Sequence, residues 1–181
     1  MSTIAPHHTP SRASGRRGAA AAGLALAAGG LVSALPASAS GTPQCTNTDL
    51  TASYRISGAA AGSTYGHLVL RNTSGHACHT GGYAGLSYVG HGNGTQIGAP
   101  AVRVDAAAVA TYVLKPGQRL RSLVQQVDPF NFPKKRCRPT HVDGFRVYVP
   151  NSTKAQYVPH AGTGCANRHV RLLFVKPLRR P

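Results

Sequence analysis

From about residue 50 onward the chain alternates apolar and polar positions with a period of two, and no stretch carries a helical stripe. β-Branched and aromatic residues cluster in short runs, which predict strands at 51–57, 65–72, 85–89, 101–104, 109–114, 119–127, 144–149 and 169–176. Turn signals separate them: Ser57-Gly58, Asn72-Thr73-Ser74-Gly75, the Gly-rich stretch 90–94, Lys115-Pro116-Gly117 and Pro150-Asn151-Ser152. Many short strands of this kind predict an all-β, antiparallel β-sandwich, with one face of each strand buried. The expected inward set is Phe145, Val147 and Val149 in one strand, and Val170, Leu172 and Phe174 in the last. Leu173 and Val175 break that alternation, so the last strand is expected to be buried on both faces. Residues 128–143 form the longest irregular stretch, and 177–181 read as a frayed basic tail.

Composition sharpens this picture. The 181 residues hold 20 Lys+Arg and only four acids, all of them Asp, for a formal charge of +16. Without Glu, and with 21 Gly and 13 Pro, long helices are disfavoured. Paired-carboxylate hydrolysis or a multi-carboxylate metal site would have to be assembled from those few Asp residues.

The first 39 residues differ from the rest. A polar segment with Arg12, Arg16 and Arg17 precedes an apolar run at 19–35, then Pro36 and Ala37-Ser38-Ala39. Charged segment, apolar segment and small-residue site, in that order, predict a secretory signal peptide cut between Ala39 and Ser40. A membrane anchor is the alternative, but the run is mostly Ala and Gly, which insert weakly. No membrane span is expected after cleavage. Removing Arg12, Arg16 and Arg17 leaves 17 basic and 4 acidic residues over 40–181, a net +13.

All four cysteines, Cys45, Cys78, Cys137 and Cys165, lie after that cleavage point. An even count in an exported chain implies disulfides. Three pairings exist, and chain order favours Cys45–Cys78 with Cys137–Cys165. Zinc is disfavoured, because zinc sites usually carry cysteines two to four residues apart, which this chain lacks.

Several short motifs then line up in order. Leu50 follows Cys45. The stretch 60–68 (AAGSTYGHL) leads into Val69-Leu70-Arg71-Asn72-Thr73-Ser74-Gly75, and Cys78 precedes Gly82-Tyr83-Ala84-Gly85-Leu86-Ser87. Leu114-Lys115-Pro116-Gly117, Cys137, Phe145-Arg146-Val147-Tyr148-Val149-Pro150-Asn151 and Cys165 complete the series. Taken together, residues 44–177 resemble a family of secreted actinobacterial proteins known as domain of unknown function 4232. Ala84 and Leu86 depart from that family's usual Pro and Val. The resemblance implies a disulfide-bonded, immunoglobulin-like β-sandwich and carries no activity with it.

Four features are candidates for chemistry. The densest charge run is Lys134, Lys135, Arg136 and Arg138, flanking Cys137, with Phe130 and Phe132 just before it. Exposed aromatics beside cations suit stacking on rings together with anion binding; the plain alternative is a solvated loop with one Phe in the core. The global charge favours adhesion to polyanions: anionic cell-wall polymers, acidic glycans or an unidentified protein partner, with no dedicated nucleic-acid-reading motif. His76 and His79 flank Cys78 like a metal cluster, but an oxidised cysteine is no ligand, and in a strand the two histidines point to opposite faces. Asp143 and His141 lie close together, yet no nucleophile elbow accompanies them. The expectation is a secreted, non-enzymatic β-sandwich without cofactor or metal, which binds or scaffolds at the cell envelope through a basic surface. A secreted enzyme or metal-binding protein, and a purely structural surface module, are the alternatives.

Overall fold

The computed structural model describes residues 41–104 and 108–181. The expected leader and its cleavage site at Ala39 and Ser40 lie outside these residues. Eleven strands form, in order β1 (Leu50–Ala60), β2 (Ser63–Asn72), β3 (Cys78–Gly81), β4 (Gly85–Gly90), β5 (Thr95–Ile97), β6 (Val102–Arg103), β7 (Thr111–Leu114), β8 (Arg119–Val127), β9 (Pro139–Tyr148), β10 (Ala155–Cys165) and β11 (Leu173–Val175). A 3-10 turn at Pro129–Asn131 and a single-turn helix, α1 (Lys134–Cys137), lie between β8 and β9.

Two sheets make the sandwich. One has the strand order β1-β2-β8-β11-β6 and the other β10-β9-β4-β5, while β3 and β7 pair separately. The pairings are antiparallel except for β6 beside β11, which run parallel. The all-β, antiparallel prediction holds. Burial follows the pleat most cleanly in β8, where Leu120, Ser122, Val124 and Gln126 are buried in strict alternation. Leu120 and Val124 share one core with Leu68 and Leu70 of β2 and, from the other sheet, Leu86, Phe145, Val147 and Val158. Phe145, Val147 and Val149 all face inward as expected. The last strand is shorter than expected and runs in the opposite phase. Leu173 and Val175 are its buried side and Phe174 is only half-buried, while Val170 and Leu172 are buried in the irregular segment before it, so the strand is not covered on both faces.

Both disulfides follow chain order: Cys45 joins Cys78 and Cys137 joins Cys165. Their loops span 33 and 28 residues, so each restricts the unfolded chain by roughly 3–4 kcal/mol in the loop-entropy account. The first staples the N-terminal segment onto β3, where Cys45 N also donates to His79 O. The second closes the end of α1 onto the end of β10. Disulfides of this kind imply an oxidising compartment. Among the described residues no helix is long and apolar enough to cross a membrane.

Three further expectations need correction. Residues 128–143 are mostly regular, because β9 already starts at Pro139 and the 3-10 turn and α1 fill the rest. Strand β10 escaped the pattern because Pro159, Gly162 and Gly164 interrupt it. Its register against β9 also shifts between Pro159 and Gly162, where His160 and Ala161 stand opposite the single residue Asp143, a one-residue bulge. The tail does not fray: Leu178 is fully buried, its N–H donates to Gly82 O, and Arg179 exchanges two backbone hydrogen bonds with Arg121. The turn at residues 72–75 is built around a buried side chain. Asn72 donates to the carbonyls of His76 and Leu114 and accepts from Ser74 N and Oγ, so a polar group in the core is fully satisfied.

Leu178→Ala should therefore destabilise the fold by about 2–5 kcal/mol in urea denaturation. A change within ~0.5 kcal/mol, the usual size for a surface position, would mean that the tail does not pack.

Candidate functional site

The basic turn forms because Pro133 opens α1 and Arg138 closes it in the left-handed conformation, with φ 54°. Arg138 N donates to Lys134 O and Cys137 N to Pro133 O. The turn is anchored from below: Cys137 is fully buried in its disulfide, Asn167 Nδ2 donates to Arg136 O, and Ala166 N donates to Arg138 O. With its inner side fixed, the turn projects Lys134, Lys135, Arg136 and Arg138 into solvent, and all four are exposed. The described residues contain two ion pairs, His76–Asp49 and His141–Asp143, so no Lys or Arg there meets a carboxylate.

The two phenylalanines divide. Phe132 is half-buried and packs against the core. Phe130 is 65% exposed, a costly position for a ring of that size with no covering partner. The 3-10 turn presents it there: the Asp128 carboxylate caps the turn by accepting from Phe130 N, and Asn131 Nδ2 donates to Gly62 O at the tip of the β1–β2 hairpin. The structure thus brings Phe130 and the four cations to one end of the sandwich and assigns Phe132 to packing.

The other candidates go separate ways. Cys78 is oxidised, His76 pairs with Asp49 at 3.5 Å, and His79 Nδ1 lies 2.7 Å from Thr42 O. His141 and Asp143 do meet, at 3.4 Å, on the outer side of β9, where Asp143 also accepts from Gly92 N in the Gly-rich turn.

A polar cluster that no sequence pattern announces spans the two sheets. Gln126 of β8 accepts through Oε1 from Tyr88 Oη of β4 and from His160 Nε2 of β10, both at 2.8 Å. Its Nε2 donates to Tyr54 Oη of β1 at 2.6 Å. The rings pack round Phe145: His160 stacks on it at 4.6 Å, Tyr88 stacks at 5.3 Å, and Tyr54 meets it edge-on at 5.0 Å. Gly66 makes room for this, since a Cβ there would overlap the Tyr54 phenol. The one available signal was Gln126 itself, a carboxamide in the buried phase of an otherwise regular alternation. Its partners lie on three other strands, so spacing could not connect them.

Desolvation shifts the ionisable members toward neutrality. Burial raises the Tyr88 and Tyr54 phenols, and burial lowers His160 below its ordinary 6.5. The imidazole is neutral at pH 7 and donates from Nε2, since the Gln126 oxygen can only accept.

A family model described as "Domain of unknown function (DUF4232)" matches residues 45–179. The chain belongs to this family, as the order of its cysteine and turn motifs predicted. Comparison with curated proteins found no match, and neither did comparison with solved structures.

The lowered His160 has a signed consequence. The unfolded chain takes up a proton near pH 6.5 while the folded chain resists it, so stability is flat above that pH and falls as pH drops below it. Asp49, whose carboxyl is held low by the Thr46 hydroxyl and then the Thr46 N–H, acts only below about its ordinary 3.8. Melting temperature followed between about pH 7 and 5 should decline in the wild type, and the decline should be shallower in His160→Gln, which keeps a donor. An identical slope in both proteins would remove His160 from the account.

Proposed function

We propose that this chain is an exported, non-enzymatic binding module of the cell envelope that docks on anionic wall polymers or acidic glycans through its basic turn. One observation carries the reading. Lys134, Lys135, Arg136 and Arg138 stand exposed, without acidic partners, on a turn fixed by a disulfide, with the exposed Phe130 ring just before it. A pinned turn loses little conformational freedom on binding, which leaves more of each contact as affinity. The cations supply long-range attraction and the ring supplies a short-range contact that salt does not screen.

The remaining features agree with this setting. The expected leader sends the chain out of the cytoplasm, and the two disulfides suit an oxidising exterior. The net +13 of residues 40–181 raises the local concentration of any polyanion before contact. Export, envelope binding and the absence of catalysis are the content of the proposal.

The test uses a poly(glycerol phosphate) polymer as probe. The triple variant Lys134→Gln, Lys135→Gln, Arg136→Gln should bind about tenfold more weakly at low salt, the sum expected of three exposed charges. Its melting temperature should stay within about 2 °C, since these side chains touch nothing that holds the fold. Unchanged binding in the triple variant would refute the basic turn as the docking surface.

A further inference from the structure

The edges of the two sheets, β1 and β10, close on each other at one end and part at the other. They close where Gln156 accepts from Ala52 N and donates to Leu50 O. They part where both registers shift, at Ser57 in β1 and at the His160–Ala161 bulge in β10. The gap is an open cleft of about 560 Å³, within the roughly 300–1,000 Å³ usual for small-molecule sites. Ala59, Ala60 and Gly162 contribute to its walls; Tyr88, Gln126 and His160 also line it.

This lining is polar as well as apolar: Gln126 and Tyr88, only 6% and 5% exposed, both belong to it. Hydrogen-bonding capacity then narrows the ligand. Gln126 Oε1 is filled by two donors, and its Nε2 keeps one N–H. The Tyr88 oxygen keeps lone pairs, His160 keeps Nδ1 as an acceptor, and Asp128 keeps a carboxylate oxygen beyond the one that holds Phe130 N. The hydroxyls of Ser63, Thr64 and Thr163 also line the cleft and can donate or accept. The lining therefore offers both kinds of group with acceptors in the majority, and the ligand must bring donors as well as acceptors.

Charge narrows it further. Among the described residues no Lys or Arg lines the cleft, and Asp128 is its only carboxylate. An anion would meet that carboxylate with no cation to offset it. An organic ammonium would pair with it, but must first approach a strongly cationic protein. A neutral polyol meets neither obstacle. We propose that this cleft binds a neutral sugar unit, whose hydroxyls donate to Asp128, His160 and Tyr88 and accept from Gln126. The site is separate from the basic turn, so its failure would leave the envelope reading standing, and the converse also holds.

The experiment is a heteronuclear NMR titration of the 15N-labelled protein with four neutral trisaccharides, built from glucose, galactose, mannose and N-acetylglucosamine. It is run at about 0.5 M salt, where the Debye length is only a few ångströms. At least one sugar should give saturating shifts at the Gln126 carboxamide and the Ala161 and Gly162 amides. Ala161→Trp places a ring on the exposed wall of the cleft without touching the core, and should weaken that sugar about tenfold or more. Asp128→Asn should weaken it several-fold, while the triple variant of the basic turn should bind it as the wild type does. No shift with any of the four sugars at about 10 mM, a concentration that reveals even millimolar affinity, would overturn the proposal. Shifts that Ala161→Trp leaves unchanged would overturn it equally.

Discussion

The Phe145 ring is fully buried between the two sheets, and three other side chains, Tyr54, Tyr88 and His160, take their positions from it and from the Gln126 carboxamide. Tyr54 and Gln126 come from one sheet; Tyr88, His160 and Phe145 come from the other. This is a polar joint in an otherwise apolar core. A joint of this kind is stabilising only while every member is paired, because one lost partner leaves a buried polar group unsatisfied at about 1–3 kcal/mol. It also fixes how the sheets sit against each other, since apolar contacts alone are not directional. The cleft exists because this joint holds its inner end while the β1 and β10 edges separate above it.

Both proposed binding surfaces lie at this same end of the sandwich. Gly62 at the hairpin tip accepts hydrogen bonds from Asp128 N and Asn131 Nδ2, which locks the 3-10 turn onto the hairpin. That turn leads directly into α1, and the Cys137–Cys165 bridge ties α1 to the end of β10, whose Gly162 and Thr163 line the cleft. Cations therefore stand on the outer turn, while the cleft beside it is uncharged except for Asp128. A polymer of sugar and anionic groups would find both chemistries within a short stretch of surface.

Most of the architecture was legible in the sequence because a half-buried strand records its environment at every second residue. Strand β8 shows this well, and so does the Phe145, Val147, Val149 series. Chain order was enough for the disulfides, since sequential pairing closes short loops. Strand β10 was hidden because a one-residue bulge and a proline break the period, and β3 and β5 are too short to show one. Leu178 was missed because a lone Leu between Pro and Arg carries no periodicity, and only the three-dimensional fold provides its pocket. The basic turn was visible as a charge run, whereas the cleft was not. Its residues lie on separate strands, and no single one of them is unusual except Gln126.

The most direct test of the docking surface is cosedimentation of the protein with cell walls from its own source, measured from low salt to about 0.5 M, where screening removes long-range attraction. If a fixed turn with an exposed ring makes a specific contact, binding weakens with salt but levels off at a saturable remainder that Phe130→Ala abolishes. Binding that disappears entirely with salt would contradict that account and reduce the basic face to general polycation adhesion.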